Sequence, residues 1–272
     1  MTTNADSRAT AADALRRRAR ASERNERLIS VTVPIGLLLV WELLSRLGVL
    51  DQRFFPPPTG IIATFLDLLS SGELLANTGI SLQRLLLALV IGGVPALLLG
   101  LAMGLYRNLR LAVEPIIAAT YPIPKSAIFP LFLLIFGLGE ASKVAIVAVG
   151  VFYPIVVNTA AGVLEIDRVH HDVGKNFHAG RWQTFCTIAL PGALPFILTG
   201  VNLAVGMALM LIVVAEMLGA TSGLGYMIWN AWQTFSVETM YVGLVVISAL
   251  GFVFSLVLKE VSALLVPWRR NR

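Results

Sequence analysis

The chain has one cysteine, Cys186, and three histidines in 272 residues. A single thiol excludes an internal disulfide framework and any multi-cysteine metal site. The expectation for Cys186 is a packed, unreactive thiol. Charge is scarce too: Asp, Glu, Lys and Arg make up 14% of the sequence, against about 25% in a soluble domain. Two chemical signatures are missing. There is no G-x-x-x-x-G-K-[ST] run, and Lys125-Ser126 lacks the glycines, so the chain is expected to cradle no ATP phosphates. There is no H-E-x-x-H either.

What fills the space is apolar. Hydrophobic residues are 57% of the chain and the mean hydropathy is +0.79. The apolar runs predict an all-α polytopic membrane protein with about six spans: 28–47, 85–105, an interrupted one between Glu114 and Leu138, 144–164, 193–218 and 240–258. The net charge of +5 comes from basic residues in short segments beside these runs. That pattern predicts topology, with both termini cytoplasmic, rather than nucleic-acid binding. Residues 1–27 are then a cytoplasmic basic tail drawn to anionic membrane lipid, 28–268 one transmembrane domain, and 269–272 a second short tail. Nothing in 1–27 looks like a cleaved signal peptide.

Several local features carry expectations. Glu42 and Arg46 are four apart near the end of the first span and should pair. Pro56-Pro57-Pro58 stops any helix, and Thr59 is placed to cap an amphipathic one bearing Ile61, Ile62, Phe65, Leu68 and Leu69. Gly100 and Gly104 form a G-x-x-x-G spacing that permits close helix approach without proving dimerisation. The aromatic pair Trp229 and Trp232 suits a membrane interface.

The third span is broken: Tyr121-Pro122-Ile123-Pro124-Lys125 cannot run as a continuous helix. Interrupted helices point to a solute path. Lys125 is either a pathway cation or an interfacial anchor whose amine snorkels to water, and the anchor is favoured. Asn158 follows Pro154 by one turn and bonds either across helices or to local carbonyls. Glu216 closes the fifth span and belongs in the bundle interior or at the outer interface, accepting N–H groups from Ser222–Gly225. The candidates for a translocation path are Lys125, Ser126, Asn158, Asn202 and Glu216.

The one polar island among these runs is 165–191. Ile166, Val169, Val173 and Phe177 recur at helical spacing, as do Trp182, Phe185 and Ala189. His178-Ala179-Gly180 separates the two sets and Pro191 is expected to end the second helix. The prediction is a compact helix–turn–helix that a soluble partner grips.

Aligned on Ile188-Ala189-Leu190-Pro191, this stretch resembles the Glu-Ala-Ala, Gly, Ile-x-Leu-Pro loop of permease subunits of binding-protein-dependent ABC importers. Asp172, Val173 and Gly174 stand at the Glu-Ala-Ala positions and His178 at the glycine. His is among the residues enriched at positive φ, so the turn is still expected. Ser81-Leu82-Gln83-Arg84, the Pro-x-Pro-Lys stretch with Phe136–Glu140, and Ala215–Tyr226 resemble the branch carrying nitrate, sulfonates and taurine, which also includes carriers of pyrimidine and flavin precursors. The resemblance implies a type I importer bundle whose coupling segment docks on an ATPase through Asp172, Val173, Gly174, Phe177, His178, Ala179, Gly180, Arg181 and Trp182. It further implies a homodimer, two cytoplasmic ATPase subunits that use ATP, a periplasmic or lipid-anchored substrate-binding protein and the bacterial inner membrane. No cofactor of its own is implied.

Two other function classes are weighed beside it. A membrane transferase would use His170, His171 and Asp172, and a metal at His171 and His178 would be a variant of that idea. The chain's other expected inner connection, at Arg107–Arg110, offers no acidic partner. A secondary transporter needing no ATPase would usually show an inverted repeat, and none is visible.

Overall fold

The computed structural model describes residues 29–267 except 31, 167, 168, 170–176 and 179. The expectations for the tails and for His170, His171, Asp172, Val173, Gly174 and Ala179 lie outside the described residues. Helices dominate those described, no strand occurs among them, and they fall into two compact units divided between Ala63 and Thr64.

The first unit holds helix α1 at 32–46 and the start of α2, Pro58–Ser70. Arg46 pairs with Glu42 at 2.5 Å, as the spacing predicts. The cap of α2 differs from expectation. Thr59 does not cap it with its own oxygen. The Glu42 carboxylate accepts the Thr59 N–H at 3.0 Å and its hydroxyl at 2.8 Å. A carboxylate at a helix N-terminus satisfies an orphan donor and meets the positive end of the dipole. Pro58, which has no N–H to lose, opens the helix.

The second unit contains α3, Glu73–Leu105, then α4, Arg107–Thr120, a tight turn at Lys125–Ile128, and α5, Phe129–Phe136. Next come α6, Glu140–Leu164, a short α7, Arg181–Thr184, and α8, Leu190–Gly219. The chain closes with α9, Leu224–Gln233, and α10, Val237–Leu265. Four of the described helices are long and apolar enough to cross a membrane, and α4 with the 125–136 stretch, bent by 84°, makes a fifth if the two count as one broken span. The break falls at the expected prolines. The first expected span is helical over 32–46, short of crossing length among the described residues.

Three helices make the core. Gly92, Gly100 and Gly104 of α3 meet Ala148, Thr159 and Val163 of α6, so the two run parallel. Gly162 and Gly150 of α6 meet Phe196 and Leu211 of α8, so α8 runs antiparallel to both. The G-x-x-x-G spacing therefore serves packing within the chain. A Cβ on Gly100 would sit 2.7 Å from the Thr159 Cβ and 2.8 Å from the Val156 carbonyl oxygen, which only glycine avoids. Leu105, Leu164 and Leu190 lie at one end of this core. Residues 73–84, Glu140 and Gly219 lie at the other.

One helix outruns its expected span and one boundary needs correction. α3 begins at Glu73, ahead of the expected 85–105 span, because the helix runs on through Arg84, whose charge is paired inside the protein. Pro191 does not end a helix. It falls in the first turn of α8, which continues α7 through a π-helical turn at Phe185–Ala189. There the Leu190 N–H bonds to the Phe185 carbonyl, five residues back, so the ladder has already shifted register where the proline supplies no donor. Cys186 is exposed on this turn, not packed. Phe185 and Ile166 pack on a small cluster of Leu101, Val163, Ala193 and Ile197.

The glycine packing yields a paired test. Gly100→Val overfills the α3–α6 contact and should lower stability by about 1–3 kcal/mol. Gly206→Ala, where a Cβ meets nothing within 4 Å, should leave the melting temperature unchanged or raise it, by up to about 1 kcal/mol of helix propensity. Thermal melting in detergent compares the two.

Candidate functional site

At the end of the core away from 165–191, one guanidinium holds four elements together. Arg84 of α3 is 3% exposed and Glu216 of α8 is 0% exposed. Arg84 Nη1 donates to Glu216 at 2.7 Å and to the Ser222 carbonyl at 2.8 Å. Its Nε and Nη2 fork onto the two oxygens of Glu140, at the start of α6, at 2.5 and 2.6 Å. Nη2 also reaches the Ser222 hydroxyl at 3.4 Å, so every donor position has a partner. Glu216 is satisfied just as fully. It accepts the Ser81 hydroxyl at 2.8 Å and the Gly225 N–H at 2.9 Å. The Ser81 oxygen in turn accepts the Leu224 N–H at 2.8 Å, and Asn77 takes the Gly223 N–H at 2.8 Å. Gly223 itself has φ 109, open only to glycine, because a Cβ would strike the Glu216 carboxylate. Glu216 is thus buried in the bundle and also accepts an N–H from the Ser222–Gly225 turn.

The depth is consistent with this chemistry. Arg84 and Leu105 are 21 residues apart along α3, about 31 Å, close to the hydrocarbon thickness of a bilayer. The cluster therefore belongs near one membrane boundary, where Glu140, 65% exposed in its side chain, reaches outward. Its saturated groups leave no free base or nucleophile, so what it can do is bind helices to one another.

The broken span is held by a related device. Lys125 is 6% exposed and its ammonium donates to the carbonyls of Thr120, Tyr121 and Ile123 at 3.0, 2.8 and 2.8 Å. It also stands 4.2 Å from the Tyr153 ring centroid, a cation–π distance. The snorkelling anchor expected from sequence is therefore corrected. Ending α4 leaves carbonyls without donors at the negative end of its dipole, and the lysine answers both needs. Lys143 does the same beyond α5, donating to the Leu138 and Gly139 carbonyls at 2.8 and 2.9 Å.

The other expected residues lie apart. Ser126 and Asn202 are exposed. The Asn158 amide donates to the Pro154 carbonyl at 2.7 Å within α6, the local alternative. No hydrogen bond or ion pair joins any two of Lys125, Ser126, Asn158, Asn202 and Glu216 among the described residues. In the 165–191 segment, His178 has φ 53, the left-handed turn expected of it. Phe177 beside it is 83% exposed, and Gly180 is exposed just before α7, which begins at Arg181 and Trp182. Among the described residues, no group of three or more His, Cys, Asp or Glu side chains is placed to hold a metal.

Ser81, Arg84 and Glu140 were missed as site residues. The signal available was an arginine and an acid at the edges of apolar runs, each too expensive in lipid without a partner.

These features define an all-α polytopic membrane protein with an interrupted span. The pattern described as the inner membrane component of binding-protein-dependent transport systems matches residues 96–271. The chain is 33% identical over 250 residues to the taurine transport system permease protein of Escherichia coli (strain K12), covering 88% of this chain and 90% of that one. It is 31% identical over 239 residues to a Bacillus subtilis (strain 168) permease named for aliphatic sulfonates transport, covering 88% and 87%. An Escherichia coli (strain K12) permease with the same name is 34% identical over 219 residues, covering 80% and 83%. The chain belongs to this family and is an ABC transporter permease.

Arg84→Ala leaves Glu216 buried and unpaired and should cost about 3–5 kcal/mol. Arg84→Met with Glu216→Gln, which removes both charges, should recover much of that loss in thermal melting. Lys125→Met leaves the Tyr121 and Ile123 carbonyls without this donor, while Thr120 keeps the Ile123 N–H at 3.3 Å, and should cost about 1–3 kcal/mol. A lysine serving only as a solute contact would leave the melting temperature unchanged.

Proposed function

We propose that this chain, paired with a second copy, forms the membrane path of an importer for a small sulfonate such as taurine. Two cytoplasmic ATPase subunits drive it and a substrate-binding protein delivers the solute. Its place is the bacterial inner membrane with both termini cytoplasmic. The names of the relatives support the solute class, and the family supports the two kinds of partner.

The single observation that carries the ATPase coupling is Phe177, an 83% exposed aromatic within the polar 165–191 stretch that separates two apolar runs. A large apolar side chain held out beside a left-handed His178 turn has the form of an interface anchor, which is where aromatic residues concentrate binding energy. Its root is firm, since Phe185 and Ile166 pack on the bundle. From α7 the backbone runs helically into α8 without interruption, giving a push at the segment a stiff path into the core.

Reconstitution with the cognate ATPase and binding protein tests this. Taurine uptake should require ATP. Phe177→Asp should lower uptake and coupled ATP hydrolysis by about tenfold or more, with an unchanged melting temperature because the side chain is exposed. Uptake that proceeds without any ATPase ends this account.

A further inference from the structure

A groove of about 240 Å³ runs between α8 and α10 toward the end of the core that carries 165–191. Its polar lining is Thr199, Asn202, Ser255, Lys259 and Ser262, and among the described residues no acidic side chain lines it. The Thr199 hydroxyl is occupied by the Pro195 carbonyl at 2.9 Å. The amide of Asn202 and the ammonium of Lys259 have no hydrogen-bond or ion-pair partner among the described residues. Both side chains are exposed and line the groove, Asn202 within the expected 193–218 span and Lys259 just past the end of the 240–258 span, so a polar solute or headgroup can reach them.

We propose that this groove binds a tetrahedral oxyanion, a sulfonate or a phosphate monoanion, on Lys259 and Asn202. The charge is single and positive, and the hydroxyls of Ser255 and Ser262 add donors around it. A volume somewhat below the roughly 300 Å³ of the smallest ligand pockets suits a headgroup-sized anion rather than a large solute. Two sources supply that chemistry. One is the sulfonate of a transported solute, and this source rests on the function proposed above. The other is the phosphate of an anionic lipid, and this one does not. The Lys259 position, six residues before the end of α10, is about 9 Å along the helix, within reach of either.

The full chain in phosphatidylcholine nanodiscs tests the site by thermal-shift titration. Ethanesulfonate is added at constant ionic strength in one arm, and the discs are doped with phosphatidylglycerol in the other. One of the two should raise the melting temperature saturably. Lys259→Gln and Asn202→Leu should each weaken that response by about tenfold, the loss of a charge-assisted or an amide hydrogen bond, while Lys259→Arg retains it. Neither side chain has a partner within the described protein, so both variants should melt like the parent when no anion is added. A response to ethanesulfonate alone assigns the solute source, and one to phosphatidylglycerol alone assigns the lipid. No response in either arm overturns the site. So does a response that Asn202→Leu leaves unchanged, since a lysine merely reaching the headgroup layer would behave that way. Uptake failing while the lipid response persists would sink the transport proposal and leave the site standing.

Discussion

A guanidinium at the edge of the hydrocarbon cannot be left unpaired, and the arrangement of this protein's second unit follows from that constraint at Arg84. Neutralising it requires Glu216 at the end of α8 and Glu140 at the start of α6 to reach the same point as α3. That fixes the relative height of three helices. The link after α8 must then turn back sharply enough to offer the Ser222 carbonyl and the Gly225 N–H, which is why a positive-φ glycine stands at 223. A pair like this is weak evidence for high stability, since apolar replacements often match it. Its stronger effect is on register, because a slip of any one helix would strand a charge.

The same logic governs the broken crossing. Backbone that leaves a helix inside a membrane protein exposes carbonyls that water cannot reach. Here two lysines supply the donors, Lys125 after α4 and Lys143 after α5. Each ammonium keeps its charge but is solvated by carbonyl oxygens in place of water, which lets it sit in a buried position without a salt bridge among the described residues. The tilted Tyr121–Tyr153 contact at 5.6 Å, with the ammonium against the Tyr153 ring, closes the site from the α6 side.

Much of this was legible in the sequence, and the parts that were not share a cause. The apolar runs located the long helices, the prolines at 122 and 124 located the break, and glycine spacing marked α3 for close approach by another helix, which is α6. Each signal is local, a matter of composition or period. His178 was readable as a turn for the same reason. The extension of α3 to Glu73 was not, because its arginine is answered by acids 56 and 132 residues away, and no spacing rule reports such a partner. Lys125 was misjudged because a lysine beside prolines looks the same whether it reaches for water or for carbonyls. Pro191 reads as a stop because a proline interrupts an α-ladder, whereas the preceding π-turn has already changed the ladder.

That π-turn has a mechanical consequence. It lets α7 and α8 act as one strut from Arg181 to Gly219, roughly 57 Å long at about 1.5 Å per residue. Pinned at Glu216 by Arg84, Ser81 and Gly225, the strut has its fulcrum at that far tip. A swing of about 5° around the fulcrum then carries Arg181 sideways by about 5 Å while the pinned contacts barely stretch, so the throw is greatest at the end that carries the polar segment.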